Sequence, residues 1–94
     1  MGNSIEQLRL LAPVFQSHGA ARWWVFGSRA KGDQVPESDW DVLVEFVRPP
    51  TFEQFMGLKF ALEEALGTRV DLMSRTACSR RFLDTISQEL VSVA

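Results

Sequence analysis

Two aspartates one residue apart, Asp39-Trp40-Asp41, stand ten residues after a glycine–serine pair, Gly27-Ser28. If Asp39 to Phe46 is a strand, both carboxylates leave the same face, roughly 6–7 Å apart along it. At that separation they repel each other unless one or two divalent cations lie between them. Mg²⁺ suits such a pair, because it prefers carboxylate oxygens and substrate phosphates. The glycine–serine pair supplies the complementary chemistry. Gly27 lets the backbone approach a phosphate closely, and Ser28, opening a short helix, offers free amides and a hydroxyl. Arg29 and Lys31 add positive charge beside them. A third carboxylate, Asp71, sits between Val70 and Leu72. It is costly there unless solvated or paired. It joins the other two if its strand lies beside theirs.

The elements that must position these residues are legible in outline. Trp40, Val42, Val44 and Phe46 alternate with Asp39, Asp41, Leu43 and Glu45. Burying the first set fixes the register, because a slip by one would bury both aspartates. Arg22 to Phe26 reads as a strand that Gly27 ends, Ser28 to Lys31 as one helical turn, and Gly32 to Ser38 as a polar loop. Ser4 to His18 is expected to be helical, with Ile5, Leu8, Ala12 and Phe15 on one face, Ser4 as N-cap and Pro13 as a kink or stop. Thr51 to Leu66 is the strongest helix. Thr51 and Gln54 form a capping box, Phe55, Leu58, Leu62 and Ala65 an apolar stripe, and Gly67 a stop. Thr68 to Met73 reads as a third strand. A last helix is expected from about Ser79 to Glu89, with Phe82, Leu83, Ile86 and Leu90 inward. The fold class is therefore α/β or α+β, a small mixed sheet flanked by helices.

Composition narrows the functions available. A chain of 94 residues makes one small domain, residues 1–94, with little surface for a deep cleft of its own. A net charge of −2 argues against holding duplex nucleic acid by phosphate neutralisation. One cysteine excludes an internal disulfide and a zinc cluster, and one histidine excludes multi-histidine metal sites. No apolar run is long enough for a membrane span, and the first residues lack a signal-peptide pattern, so the chain reads as cytoplasmic. Carboxylates are left as the carriers of any chemistry.

The run GSRAKGDQVPESDWD, Gly27 to Asp41, resembles the signature of the DNA polymerase β-like nucleotidyltransferases: Gly-Ser, ten residues, Asp-x-Asp. The flanks VFGSRAKG and SDWDVLVEF fit as well, and the short chain is similar to the minimal nucleotidyltransferase subgroup. The resemblance covers Arg22 to Phe46 closely and is weaker through Asp71. It implies that Gly27, Ser28 and Arg29 contact the nucleotide's phosphates. It implies that Asp39, Asp41 and Asp71 hold two Mg²⁺ ions, with Asp71 helping to deprotonate the attacking hydroxyl. The implied reaction transfers a nucleoside monophosphate, AMP from ATP, with release of pyrophosphate. It further implies an antitoxin whose acceptor is a tyrosine on a HEPN-type partner. Trp40 departs from the family, which more often has an aliphatic residue there.

Other residues have plainer readings. Glu45 shares the aspartates' face but lies farther along, and reads as solvated. His18 reads as a helix-end residue, and Cys78 as a small buried or loop residue. Trp23 and Trp24 cannot face the same side of a strand, so one belongs to the core and the other meets a helix or a partner. A different class of function is also open: a non-catalytic binding module that neutralises a partner through a relict site. Small size and exposed tryptophan also admit a homo-oligomer.

Overall fold

The structure is a computed structural model that describes residues 5–26 and 40–93. The expected N-cap Ser4, the helical turn at Ser28 to Lys31 and the loop after it lie outside these residues.

The first helix is two helices, α1 (Ile5–Arg9) and α2 (Ala12–Ser17). Pro13 has no amide to donate to Arg9, and its ring would crowd that carbonyl, so the helix breaks before it and restarts with proline in the first turn. The break leaves Leu10 77% exposed, yet Leu8 and Phe15 both still reach the core. Strand β1 (Ala20–Phe26) starts two residues earlier than the sequence suggests. Gly19, at φ 86°, makes the turn into it.

Strand β2 (Trp40–Phe46) runs antiparallel to β1 and parallel to β3 (Val70–Ser74). A parallel neighbour requires a crossover, and α3 (Phe52–Leu66) supplies it. Thr51 caps α3 as expected, its hydroxyl accepting from the Gln54 amide. The reciprocal half of the capping box does not form. The Gln54 side chain instead donates to the His18 carbonyl at 2.6 Å, tying α3 to α2. Leu58 and Leu62 are buried, but Ala65 is exposed and Leu66 packs in its place. Gly67, at φ 72°, closes the helix, its amide donating a hydrogen bond to the Glu63 carbonyl.

After β3 come a short 3-10 turn (Arg75–Ala77) and α4 (Arg80–Ile86), capped by the Ser79 hydroxyl. Helix α4 stops three residues short of the expected end. The chain then forms β4 (Val91–Ser92), a two-residue strand on β1 that periodicity could not reveal. The sheet order is β3-β2-β1-β4.

The sheet has two covered faces. On the first, Trp23, Val25, Trp40, Val42, Val44, Val70 and Leu72 pack against Leu8, Phe15, Leu58 and Leu62. Phe15 stacks flat on Trp23, with ring centroids 4.3 Å apart. On the second, Phe26 and Leu43 pack against Ile86, with Trp24, Met73 and Phe82 beside them. Trp23 is thus the core tryptophan and Trp24 the one that meets the last helix region.

Candidate active site

Asp41 and Asp71 are Cα partners across the parallel β2–β3 ladder, and Phe26 faces Asp41 across β1–β2. Directly paired residues on neighbouring strands point to the same side, about 4.8 Å apart. The two carboxylates therefore share the second face of the sheet, at one end of it. Asp41 is half-buried there and Asp71 is exposed. All three strand ends meet at this point: β1 leaves the sheet, and β2 and β3 enter it.

Local bonds hold the pair in register. Trp40 is 1% exposed, and its amide donates to the Arg69 carbonyl at 3.1 Å. The indole enters the first-face core, so its neighbour Asp41 must face the other way. The Val70 amide donates to Glu63 Oε2 at 3.0 Å, which ties the start of β3 to α3. Glu63 also pairs with Lys59. The Lys59 hydrogen bond and the Val70 amide hold the Glu63 carboxyl below the ordinary glutamate range. The residue that locks Asp71 beside Asp41 is thus on the crossover helix, outside any motif.

The segment 27–39, with Gly27, Ser28, Arg29 and Asp39, lies outside the described residues. Its neighbours Phe26 and Trp40 are both at the Asp41–Asp71 end of the sheet. Among the described residues no group of three or more metal-ligating side chains occurs.

The remaining acidic and nucleophilic groups are elsewhere. Glu45 shares the face of Asp41, but buried Leu43 intervenes. It is not simply solvated: it lies 3.4 Å from Arg22 and 3.8 Å from Arg75, whose guanidinium sits over the Trp24 ring. His18 is at the other end of the sheet, at the end of α2, its Nδ1 2.9 Å from the Val14 carbonyl. Burial pushes the Cys78 thiol above its ordinary pKa, which disfavours a thiolate. Sequence reasoning missed a groove of about 520 Å³ between the start of α3 and the far half of β3. Nothing in the sequence marks it, because its two walls are distant along the chain.

A family model described as polymerase beta, nucleotidyltransferase, matches residues 10–93. The chain belongs to this nucleotidyltransferase family. Within the family it falls in the minimal nucleotidyltransferase group. A Methanocaldococcus jannaschii relative, provisionally named a protein adenylyltransferase, is 36% identical over 91 residues, covering 97% of this chain and 98% of its own. The protein adenylyltransferase MntA of Thermococcus cleftensis is 38% identical over 69 residues, 73% of this chain and 70% of that one. A solved structure provisionally assigned as a minimal nucleotidyltransferase superposes with a TM-score of 0.80 at 36% identity, covering 94% of each chain. A chain from the complex of a tri-AMPylated Shewanella oneidensis HEPN toxin with its MNT antitoxin shares the fold, with a TM-score of 0.72 at 17% identity and 94% and 71% coverage. The small α/β fold with its mixed sheet is thus that of the nucleotidyltransferases.

Proposed function

We propose that this nucleotidyltransferase is a Mg²⁺-dependent protein adenylyltransferase. It transfers AMP from ATP to a tyrosine hydroxyl on a HEPN-type toxin and so acts as its antitoxin. In this reading residues 1–94 form one catalytic domain working in the cytoplasm. The observation that carries it is the pairing of Asp41 with Asp71 on adjacent parallel strands. Two carboxylates on one face of adjacent strands present hard oxygen donors to a common point, which suits a divalent cation such as Mg²⁺, so the pair fits a metal site. Asp39 would complete the set, being two residues before Asp41 on the same strand period.

The roles follow from chemistry. Asp39, Asp41 and Asp71 would hold two Mg²⁺ ions, and Gly27, Ser28 and Arg29 would hold the phosphates of ATP. When bound, the ions would supply charge neutralisation for the attacking hydroxyl and for the pyrophosphate leaving group. The acceptor oxygen bonds to the α-phosphorus as the bond from that phosphorus to the β-phosphate oxygen breaks. Pyrophosphate leaves with the electron pair, and Asp71 takes the hydroxyl proton and passes it to water. The names of the adenylyltransferase relatives and of the HEPN toxin complex support this choice of nucleotide and acceptor.

The test uses ATP labelled at either the α- or the γ-phosphate, with Mg²⁺ and the HEPN-type protein encoded beside this one. The reading expects label on the partner from α-labelled ATP only. Neutralisation of the toxin with no label transferred would instead establish the non-catalytic binding module.

A further inference from the structure

Among the described residues strand β3 is an edge of the sheet, and its outer side is the side on which the groove lies. The bond from the Trp40 amide to the Arg69 carbonyl sets the phase of the ladder. In a parallel pair the residues of one strand alternate between bonding inward and outward. Arg69, Asp71 and Met73 therefore bond to β2, while Val70, Leu72 and Ser74 turn their backbone groups outward. The outward Val70 amide is satisfied by Glu63. Among the described residues nothing hydrogen-bonds the outward amide or carbonyl of Leu72.

Proteins ordinarily blunt such an edge with lysine, proline, a bulge or a covering segment. The sequence Val70-Asp-Leu-Met-Ser74 has no lysine or proline, its one charge is Asp71, and its pairing with β2 is regular throughout. Beside the edge the groove is apolar, walled by Phe52 and Phe55 opposite Leu72 and Met73. Phe52 is 77% exposed. Donors and acceptors spaced as a strand, with apolar walls for alternate side chains, are complementary to an extended peptide and to little else. The opposite edge is different. Strand β4 is two residues long and separated from Asp41 by β1.

We infer that β3 receives the acceptor as an added strand, so that the substrate of this enzyme is an extended, tyrosine-bearing segment of a protein. The inference rests on the adenylyltransferase reading above and says how the acceptor reaches that site. The register supplies the connection. Asp71 is on β3 itself, and residues facing one another on neighbouring strands lie roughly 4.5–5.5 Å apart. A strand bound to this edge thus carries one side chain past Asp71, on the face that holds Asp41. A tyrosine there brings its hydroxyl to the residues that would hold the metal ions. Its oxygen bonds to the α-phosphorus, pyrophosphate departs, and its proton passes through Asp71 to water. Backbone bonds along the edge give affinity without reading sequence, and the groove selects an apolar residue next to the tyrosine, on the opposite face, where Leu72 and Phe55 lie.

Ser74 offers a clean perturbation. Its φ of −85° is close to that of proline, and its amide faces outward, so S74P removes an edge donor and blocks pairing with little strain. S74A is the control, because it loses only the hydroxyl contact with Thr76. Wild type, S74A and S74P are incubated with Mg²⁺, α-labelled ATP and an array of ten-residue peptides with a central tyrosine. The expected result is equal labelling by wild type and S74A, a loss of tenfold or more with S74P, and unchanged ATP binding in all three. N-methylation of peptide amides should block labelling at alternate positions. In the free protein, the Leu72 amide should exchange with solvent at least a hundredfold faster than those of Asp71 and Met73. Equal labelling by S74P, or a protected Leu72 amide, overturns the inference. So does a dimer that S74P dissociates, which would assign the edge to a second copy. A protein that binds ATP but labels no peptide also overturns it, whereas one that binds no ATP refutes the adenylyltransferase reading instead.

Discussion

Replacing Trp40 by leucine separates the packing of β2 from the chemistry proposed for Asp41. The indole is 1% exposed and lies in the first-face core with Val42, Val44 and Leu62. Leucine leaves a void of roughly 60 Å³, worth about 1.5 kcal/mol at ~24 cal/mol per Å³, and partial relaxation is offset by the lost aromatic burial. A cost of about 2 kcal/mol follows. A domain of this size has about 5–14 kcal/mol in all, so W40L still folds. Its Tm should fall by roughly 8–16 °C, since each kcal/mol shifts a small domain by about 4–8 °C. Alternation, not the indole, keeps Asp41 facing Asp71, because leucine keeps the same face buried. The rate of AMP transfer, measured where the variant is fully folded, should stay within about threefold of wild type. Thermal melts and transfer kinetics on the same preparation decide the matter. A W40L protein with unchanged Tm and abolished transfer would refute the argument, because the indole would then be acting at the site.

Other perturbations follow from the helices that carry the strands. Glu63 is held below its ordinary pKa in the folded chain, so its contribution to stability is present above about pH 4.3 and is lost as pH falls through the lower folded value. E63Q should remove that part of the acid dependence in urea melts taken between pH 3 and 6. T51A should cost about 1 kcal/mol by freeing the Gln54 amide, and T51S almost nothing. G67A should cost about 1 kcal/mol from backbone strain alone, since a Cβ there meets nothing within 4 Å; G67N should cost less. Cys78 should react with iodoacetamide at pH 7 more slowly than a free thiol, because burial raises its pKa.

The sequence carried the local part of this architecture and not the non-local part. Alternation in Trp40 to Phe46 was enough to turn Asp41 away from the core. Thr51 and Gly67 marked the ends of α3 because capping is a short-range matter. Pro13 announced a break, though not that two helices would both reach the core. Gln54 illustrates the limit: its side chain had an intrahelical partner available and took the His18 carbonyl, a residue 36 positions away. Ala65 was assigned inward by period, but Leu66 filled the space. Leu43 looked like one more residue on the aspartates' face, and α4 buries it completely. The adjacency of Asp71 to Asp41 depended on strand order, which no local pattern encodes. The position of β3 at the edge of the described sheet, and the groove beside it, depended on the same order.

The proposed function rests on Asp41 and Asp71 belonging to one metal–nucleotide centre. Mn²⁺ with a non-hydrolysable ATP analogue tests it directly, by paramagnetic broadening of backbone amide signals. Broadening should be strongest at Phe26, Asp41 and Asp71. Ala20 and Phe46, roughly 17 Å along the sheet, should be the least broadened residues of β1 and β2. The pattern should vanish in D41N. Broadening centred on Glu45, or one that survives in D41N, would contradict it.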